Sequence, residues 1–288
     1  MSVAAGTFSP LMAMPGMDDS EFERWASLLE KRTGVVVPLK RKAFLVTSVR
    51  GRMRETGHAD FEAYFRDLQK IPEGAIEWTT LVDRLTVHET HFFRHMPSFD
   101  LIARDWLPQL AADPGSALHA WSVGCSSGEE AYTLAMVLDR HLAGRGGKSY
   151  FGVTATDVSL PALAVGRTGL YPRQKMDEIP EAYREHYCEA LDADSFRIRD
   201  GLRKRVGFAQ FNLLDAVGAS MKRLDLIFCQ NVLIYFARER RRELLATLAK
   251  LLKPGGLLVL GPGEVTQFAH AQLARVENRN VLAFRRTS

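Results

Sequence analysis

The segment Trp121–Glu130, WSVGCSSGEE, gathers residue types suited to holding a small ligand. Gly124 and Gly128 flank Cys125-Ser126-Ser127, and Glu129 and Glu130 stand where a helix is expected to begin. Glycines at the end of a strand let backbone approach a ligand closely. A pyrophosphate would want the positive end of that helix for its own charge. Acids at the helix start favour instead a ligand that carries an ammonium and a sulfonium. A glycine turn alone is weak evidence, since many are purely structural, but three further elements reinforce it. Asp157, closing the phrase TATD, can accept hydrogen bonds from two ribose hydroxyls. The competing reading is a cap for the helix near Pro161. Asn212-Leu213-Leu214-Asp215 follows a third predicted strand, where an adenine would lie, and Gln230-Asn231 follows the strand DLIFC. All four fall at strand C-termini, the edge at which an open α/β sheet binds ligands.

Two other clusters stand out. Leu85–Arg94, LTVHETHFFR, precedes the first strand. His88, His91 and His95 are of metal-ligand type, but no thiolate or second patterned cluster completes a site and HExxH is absent, so no metal is expected. Phe92 and Phe93 read as packing, and Thr90 and Arg94 lie one turn apart if the segment is helical. Lys40, Arg41, Lys42, Arg50, Arg52 and Arg54 all fall between Pro38 and Arg54 with no acid among them. Arg50 and Arg54 share a helix face, with Lys42 two further turns back. Such a run is usually a solvated surface. The missing acid favours an acidic partner, either nucleic acid or an acidic protein helix.

These residues need elements to position them. From Asp18 to Thr86 the pattern is helical. A helix capped at Asp18, Asp19 or Ser20 carries Phe22, Trp25, Leu28 and Leu29 and stops at Gly34. Further helices are expected over Arg41–Glu55, ending near Gly57, over Phe61–Leu68, and from Glu73 with Ile76, Leu81 and Leu85 inward. From Leu118 strands and helices alternate, which implies parallel strands with helical crossovers. The predicted strands are Leu118–Val123, Tyr150–Ala155, Val206–Phe211, Asp225–Cys229 and Gly256–Leu260. The helices are Glu130–His141, one containing Pro161–Gly166, and Arg238–Leu252. Asn280–Arg285 is expected as a last edge strand. Tyr171–Phe211 breaks the alternation, and an Asp200-Gly201 turn between Ser195–Arg199 and Leu202–Phe208 suggests an antiparallel hairpin. The expected organisation is a flexible tail (1–17), a helical domain (18–86), a cofactor-covering linker (87–117) and an α/β domain (118–288) with an insertion at about 172–205.

Composition narrows the class. A chain of 288 residues with 46% hydrophobic content can bury two cores. Cys125, Cys188 and Cys229 are odd in number and widely spaced, which fits a reducing compartment and no disulfide framework. No apolar run approaches the roughly 20 residues a bilayer span needs, and the N-terminus lacks the form of a signal peptide. A cytoplasmic, monomeric protein that does not insert in the membrane is expected. The net charge of +4 is mild for a nucleic-acid binder.

The phrases TVHETHFFR, GCSSGEEAYTLAM, TATD, FNLLD, CQNVLIYF and LKPGGLLVLG, in this order, closely resemble the CheR-type chemoreceptor glutamate O-methyltransferases. The resemblance covers the chain from about residue 18 to its end. It implies a doubly wound, Rossmann-like S-adenosylmethionine methyltransferase sheet, a helical N-terminal domain and an inserted antiparallel β-subdomain. It implies that His88, Thr90, Arg94, Gly124, Glu129, Asp157, Asn212, Leu213, Gln230 and Asn231 hold the cofactor. Arg94 and Tyr235 are placed near the methyl group as catalytic residues. Lys42, Arg50, Arg52 and Arg54 become the surface for the cytoplasmic methylation helices of a transmembrane receptor, with no nucleic acid involved. In some members the β-subdomain docks on a peptide at the receptor C-terminus. The chain departs from the common pattern at His88, at Gln230 and at Gly261-Pro262-Gly263-Glu264. The last two are closer to the PilK branch associated with type IV pilus systems. The rival readings are a nucleic-acid methyltransferase, against which the chain has Gln230-Asn231-Val232-Leu233 in place of a Pro-Pro-aromatic motif, and a non-catalytic receptor-binding scaffold.

The implied reaction moves a methyl group from a sulfonium to a carboxylate. A glutamate, with an ordinary pKa of about 4.3, is already ionised at neutral pH. No general base is needed and none is nominated. Tyr235 is expected to hold one acceptor oxygen, and Arg94 to bind that carboxylate or the cofactor's own.

Overall fold

The computed structural model describes residues 16–70, 72–110, 117–143, 150–218, 223–266 and 268–287. The expected tail therefore lies, up to residue 15, outside the described residues, as does 111–116 of the expected linker.

Among the described residues the first α-helices are α1 (Asp19–Thr33), α2 (Lys42–Thr56), α3 (Phe61–Asp67) and α4 (Glu73–Leu85). The Asp18 carboxylate accepts the Glu21 N–H at 2.8 Å and Glu21 accepts the Asp18 N–H at 3.2 Å, a reciprocal cap that fixes where α1 begins. Gly34 and Gly57, at φ +78° and +76°, end α1 and α2 in the left-handed region that glycine enters without strain. Leu45, Val49 and Met53 recur every four residues on α2 and are fully buried. On α4 Leu81 and Leu85 are buried, but Ile76 is 80% exposed, against the expectation that it packs inward.

The remainder begins with α5 (Met96–Asp100), which passes into a π-helical stretch at Leu101–Trp106. Next come β1 (Leu118–Val123), α6 (Glu129–Ala143), β2 (Phe151–Asp157), α7 (Leu160–Thr168), β3 (Leu170–Pro172), α8 (Glu181–Tyr187), β4 (Cys188–Ala190) and β5 (Ser195–Ile198). The chain closes with α9 (Asp200–Arg203), β6 (Val206–Gln210), β7 (Leu224–Cys229), α10 (Arg238–Leu251), β8 (Leu252–Leu260), β9 (Leu273–Arg275) and β10 (Leu282–Arg286). Seven strands form one sheet in the order β6-β2-β1-β7-β8-β10-β9, and β3, β5 and β4 form a separate antiparallel sheet. The strands from β6 to β8 are parallel, and β10 runs antiparallel to both its neighbours. Beginning at β1, the chain builds outward through β2 to β6, then returns to place β7 on the other side of β1. The order reverses between β1 and β7, and ligands of such sheets bind at that crevice.

Two expectations are corrected. No hairpin turns at Asp200-Gly201: these residues start the short helix α9, and Val206–Gln210 leaves to pair with β2. β5 finds its antiparallel partners in β3 and β4 instead. The strand near the C-terminus is not an edge, because β9 pairs outside it.

The compact units do not split at one point in the sequence. One holds Val37–Leu85 with the described chain up to Leu28; the other holds Leu29–Val36 with everything from Thr86 onward. In the second unit, Asn212 Nδ2 donates to the Arg32 carbonyl at 2.7 Å and the Val36 N–H donates to the Tyr235 carbonyl at 2.8 Å.

Candidate active site

The loops after β1 and β7 cross at the switch point. Gly124 has φ +67°, and a Cβ there would run into Val232 Cγ2. A Cβ on Gly128 would lie 2.8 Å from the Phe208 ring. Both glycines are thus required by the protein's own close packing, in addition to any ligand. Between them Ser126 is held at φ +49°, its N–H donating to Asp157 Oδ2 at 2.8 Å and its hydroxyl to the His88 carbonyl at 3.2 Å. Asp157 also accepts the Ser159 N–H on Oδ1 at 2.9 Å. Each oxygen keeps a lone pair, and the side chain is part-exposed, as an acceptor for two neighbouring hydroxyls must be. The α7 cap is Ser159, whose hydroxyl accepts the Ala162 N–H at 3.1 Å.

The two glutamates at the start of α6 behave differently. Glu129 is 0% exposed; its carboxylate is bonded by the Ser127 hydroxyl and pairs with the Lys175 ammonium. Its charge is thus met within the free protein, between the glycine loop and Lys175. Glu130 stays part-exposed although protein surrounds it, and among the described residues it accepts only the Ser122 hydroxyl, at 2.6 Å. It forms no ion pair among the described residues. Burial pushes its carboxyl up to about 8; the Ser122 bond opposes this, the Glu264 charge adds to it and Arg94 opposes it weakly. A carboxyl in a crevice without a paired cation is the complement of a cationic ligand. That is the fit test for S-adenosylmethionine, and the residues present pass it.

The other nominated positions fall into three groups. Thr90 is part-exposed, with its carbonyl taken by Lys175 at 3.0 Å. Arg94 is exposed and reaches the Glu89 carbonyl at 3.0 Å. The segment Val87–His91 lies outside any helix or strand and Phe93 is left-handed at φ +52°, so Thr90 and Arg94 are not neighbours on a helix. Tyr235 is part-buried at the end of the β7 loop, and Asn231 sits at φ +61°, a conformation asparagine tolerates. By contrast, Gln230 is 5% exposed and spends its amide on Ser98 Oγ at 2.9 Å and the Leu260 carbonyl at 3.0 Å. Leu213 is buried, and the Asn212 side chain is engaged at both ends, by the Arg32 carbonyl and the Leu214 N–H. Those three are occupied by contacts within the protein.

Sequence reasoning missed Glu264. Its carboxylate accepts the Gly261 N–H at 2.6 Å and the Leu233 N–H at 3.1 Å, pinning the β7 loop to the end of β8. The signal was an acid following a glycine turn immediately after a buried strand. Cys125 carries no nucleophilic role: burial holds its thiol well above the ordinary range, so it stays protonated. The three histidines do not converge. His88 faces Thr86 Oγ1, His91 faces Glu178 Oε1 and His95 faces Ser98 Oγ. Among the described residues no group of three His, Cys, Asp or Glu could hold a metal ion.

The basic run on α2 is largely paired from outside its own window. Lys42 Nζ meets Asp19 at 2.7 Å. Arg52 bonds Glu55 and Glu77 with its side chain 13% exposed. Arg50 lies 5.9 Å from the Phe61 ring centroid and Arg54 is exposed. The four do not make one open basic face, because Lys42 and Arg52 are held by Asp19 and Glu77, acids distant in sequence.

A switch-point crevice with a carboxyl that has no cation partner among the described residues, beside an aspartate whose oxygens keep acceptor capacity, fits an S-adenosylmethionine-dependent methyltransferase. Residues 88–282 match the family described as CheR methyltransferase, SAM binding domain, and residues 20–86 match CheR methyltransferase, all-alpha domain. The chain belongs to the CheR methyltransferase family. It is 31% identical over 248 residues to the chemotaxis protein methyltransferase of Borreliella burgdorferi, covering 85% of this chain and 87% of that protein. It is 33% identical over 251 residues to chemotaxis protein methyltransferase 1 of Pseudomonas aeruginosa, covering 85% and 90%. It is 32% identical over 272 residues to the probable biofilm formation methyltransferase WspC of the same organism, covering 92% of this chain and 62% of that protein.

Proposed function

We propose that this methyltransferase esterifies glutamate side chains on the cytoplasmic methylation helices of a methyl-accepting chemotaxis-type receptor, for sensory adaptation. The observation that carries the reading is Glu130, a carboxyl in the switch-point crevice that has no paired cation among the described residues. When bound there, S-adenosylmethionine supplies an electrophilic methyl on a sulfonium. Glu130 would take its ammonium and Asp157 its ribose hydroxyls, with Thr90 and Asn231 lining the rest of the edge. The acceptor glutamate arrives ionised, so the chain's task is alignment and exclusion of water. Loss of opposite charges in the transition state is favoured where water is scarce. Tyr235 orients one acceptor oxygen. Arg94 positions a carboxylate without gripping the nucleophile bidentately, since a tight pair would blunt it.

The family membership and the chemotaxis names of the relatives support a receptor substrate. No helix among the described residues is long and apolar enough to cross a membrane. The test is radiolabelled methyl transfer to membranes bearing receptors of swimming, pilus and biofilm systems, followed by mass mapping of base-labile esters. Esters on receptor glutamates are expected. Label on nucleic acid would move the protein to the rival class. No label on any receptor, with S-adenosylhomocysteine still bound, would leave the scaffold reading.

A further inference from the structure

The turn Arg173–Glu178 lies between β3 and α8 in the small-sheet insertion. It reaches back more than eighty residues to the segment that carries Thr90 and Arg94. Lys175 donates to the Thr90 carbonyl at 3.0 Å and pairs with Glu129. Three residues on, Glu178 accepts the Phe92 N–H at 2.8 Å and meets His91 Nδ1 at 2.8 Å. The peptide units on both sides of His91 are thus gripped by charged side chains of one turn. Two aromatic contacts run parallel to this grip: Phe92 packs edge-on to Tyr171 at 5.0 Å and lies 6.0 Å from Phe196. Tyr171 in turn donates its hydroxyl to the Ser127 carbonyl of the glycine loop at 2.7 Å.

Burial gives this arrangement its force. The Glu129 side chain is 1% exposed, and a carboxylate so enclosed needs a countercharge. The same ammonium that supplies it fixes Thr90. Next to the gripped stretch, Phe93 is left-handed at φ +52°, a strained state for a bulky residue that persists only where its surroundings over-determine it. Its N–H donates to Thr133 Oγ1 on α6 at 3.2 Å, and Arg94 follows directly. The direction in which Arg94 leaves the backbone is therefore set by the grip on His91 and Phe92.

Building on the proposed cofactor edge, we infer that Lys175 and Glu178 are positioning residues: the insertion braces the Thr90–Arg94 segment in its ligand-binding geometry. The brace is separate from any docking role of the small sheet, because it acts on the free enzyme.

The experiment measures S-adenosylhomocysteine affinity by calorimetry, with melting temperature recorded without ligand, for Lys175→Met, Lys175→Arg, Glu178→Ala, Glu178→Gln and, as a control on the site, Asp157→Asn. Lys175→Met and Glu178→Ala are expected to weaken binding about tenfold, as loss of a charged hydrogen-bond partner does. Lys175→Arg and Glu178→Gln keep a donor or acceptor in place and should stay within about threefold of the parent. Should Lys175→Met fail to fold, Glu178→Ala decides alone, since its side chain is 25% exposed and its loss buries no orphan charge. Unchanged affinity in Glu178→Ala, with only a lower melting temperature, overturns the inference while Asp157→Asn still abolishes binding. If Asp157→Asn also binds normally, the reading of the edge falls and the brace with it.

Discussion

In the helical unit, Arg52 is enclosed and answered on every side. Glu77 meets its guanidinium, Glu55 adds a second carboxylate, Tyr64 donates its hydroxyl to Glu77, and Arg84 bonds Glu55 at 2.7 Å. At the carboxyl edge of the sheet, Glu130 is as enclosed but answered by a single hydroxyl. In the first arrangement burial pushes the Glu77 carboxyl up, but its bonds to Arg52 and Tyr64 and the Arg52 charge together outweigh that and hold it below its ordinary value. The second raises Glu130 to about 8, because burial acts almost unopposed. A closed network has used its charge on structure. An open one holds it in reserve for a ligand.

The largest break in this contrast is expected from Asp157→Ala, which removes the acceptor that also fixes Ser126. S-adenosylhomocysteine affinity should drop at least about a hundredfold, read by calorimetry. Unchanged affinity would end the site assignment. Glu130→Gln comes next, with a loss of about thirtyfold. The folded pKa of Glu130 lies above its unfolded value, so the native state keeps a proton that the unfolded chain releases above about 4.5. Stability of the free enzyme therefore declines as pH climbs from about 4.5 toward about 8 and is level beyond. A bound ammonium reverses this by ionising Glu130. Calorimetry in buffers of different ionisation enthalpy should show release of up to about one proton per ligand at pH 7 in the parent and none in Glu130→Gln.

On the paired side, Arg52→Ala should cost about 2 kcal/mol of stability in denaturant unfolding and leave cofactor affinity untouched. A change in affinity would show that the two regions are not independent. Tyr235→Phe sharpens the division within the site: turnover should drop about tenfold at constant S-adenosylhomocysteine affinity. Smallest in stability is Arg54→Glu, an exposed change within about 0.5 kcal/mol. Combined with Arg50→Glu it should raise the KM for receptor, and an unaltered KM would remove α2 from the receptor surface.

Much of this was legible in the residues. The four-helix start, the parallel alternation and the gathering of Gly124, Asp157 and Asn231 at strand ends follow from periodicity and punctuation, which are local signals. Facing directions were harder. Nothing local separates Glu129 from Glu130, because which one turns to the crevice depends on Lys175, forty-six residues away in sequence. Likewise the acid-free window Pro38–Arg54 said nothing of Asp19 and Glu77, which pair with Lys42 and Arg52 in space. Asp200-Gly201 carried a sound turn signal, but the strand after it had a better partner in β2 than in β5. Gln230 looked like a ligand contact by position, yet its amide is buried and satisfied by Ser98 and Leu260.

The short stretch Leu29–Val36 belongs with the sheet although it precedes most of the helical unit in the chain. The Asn212 side chain and the Tyr235 carbonyl are tied to its backbone, and Gly34 leaves room for Phe236 where any Cβ would collide with the ring. The transferase is consequently written in two separated pieces of the gene. A recombination or truncation near Thr86 would not release it whole, since the edge would lose a lace threaded from upstream, and exchange of helical units between relatives should succeed only where those eight residues stay with the sheet they serve.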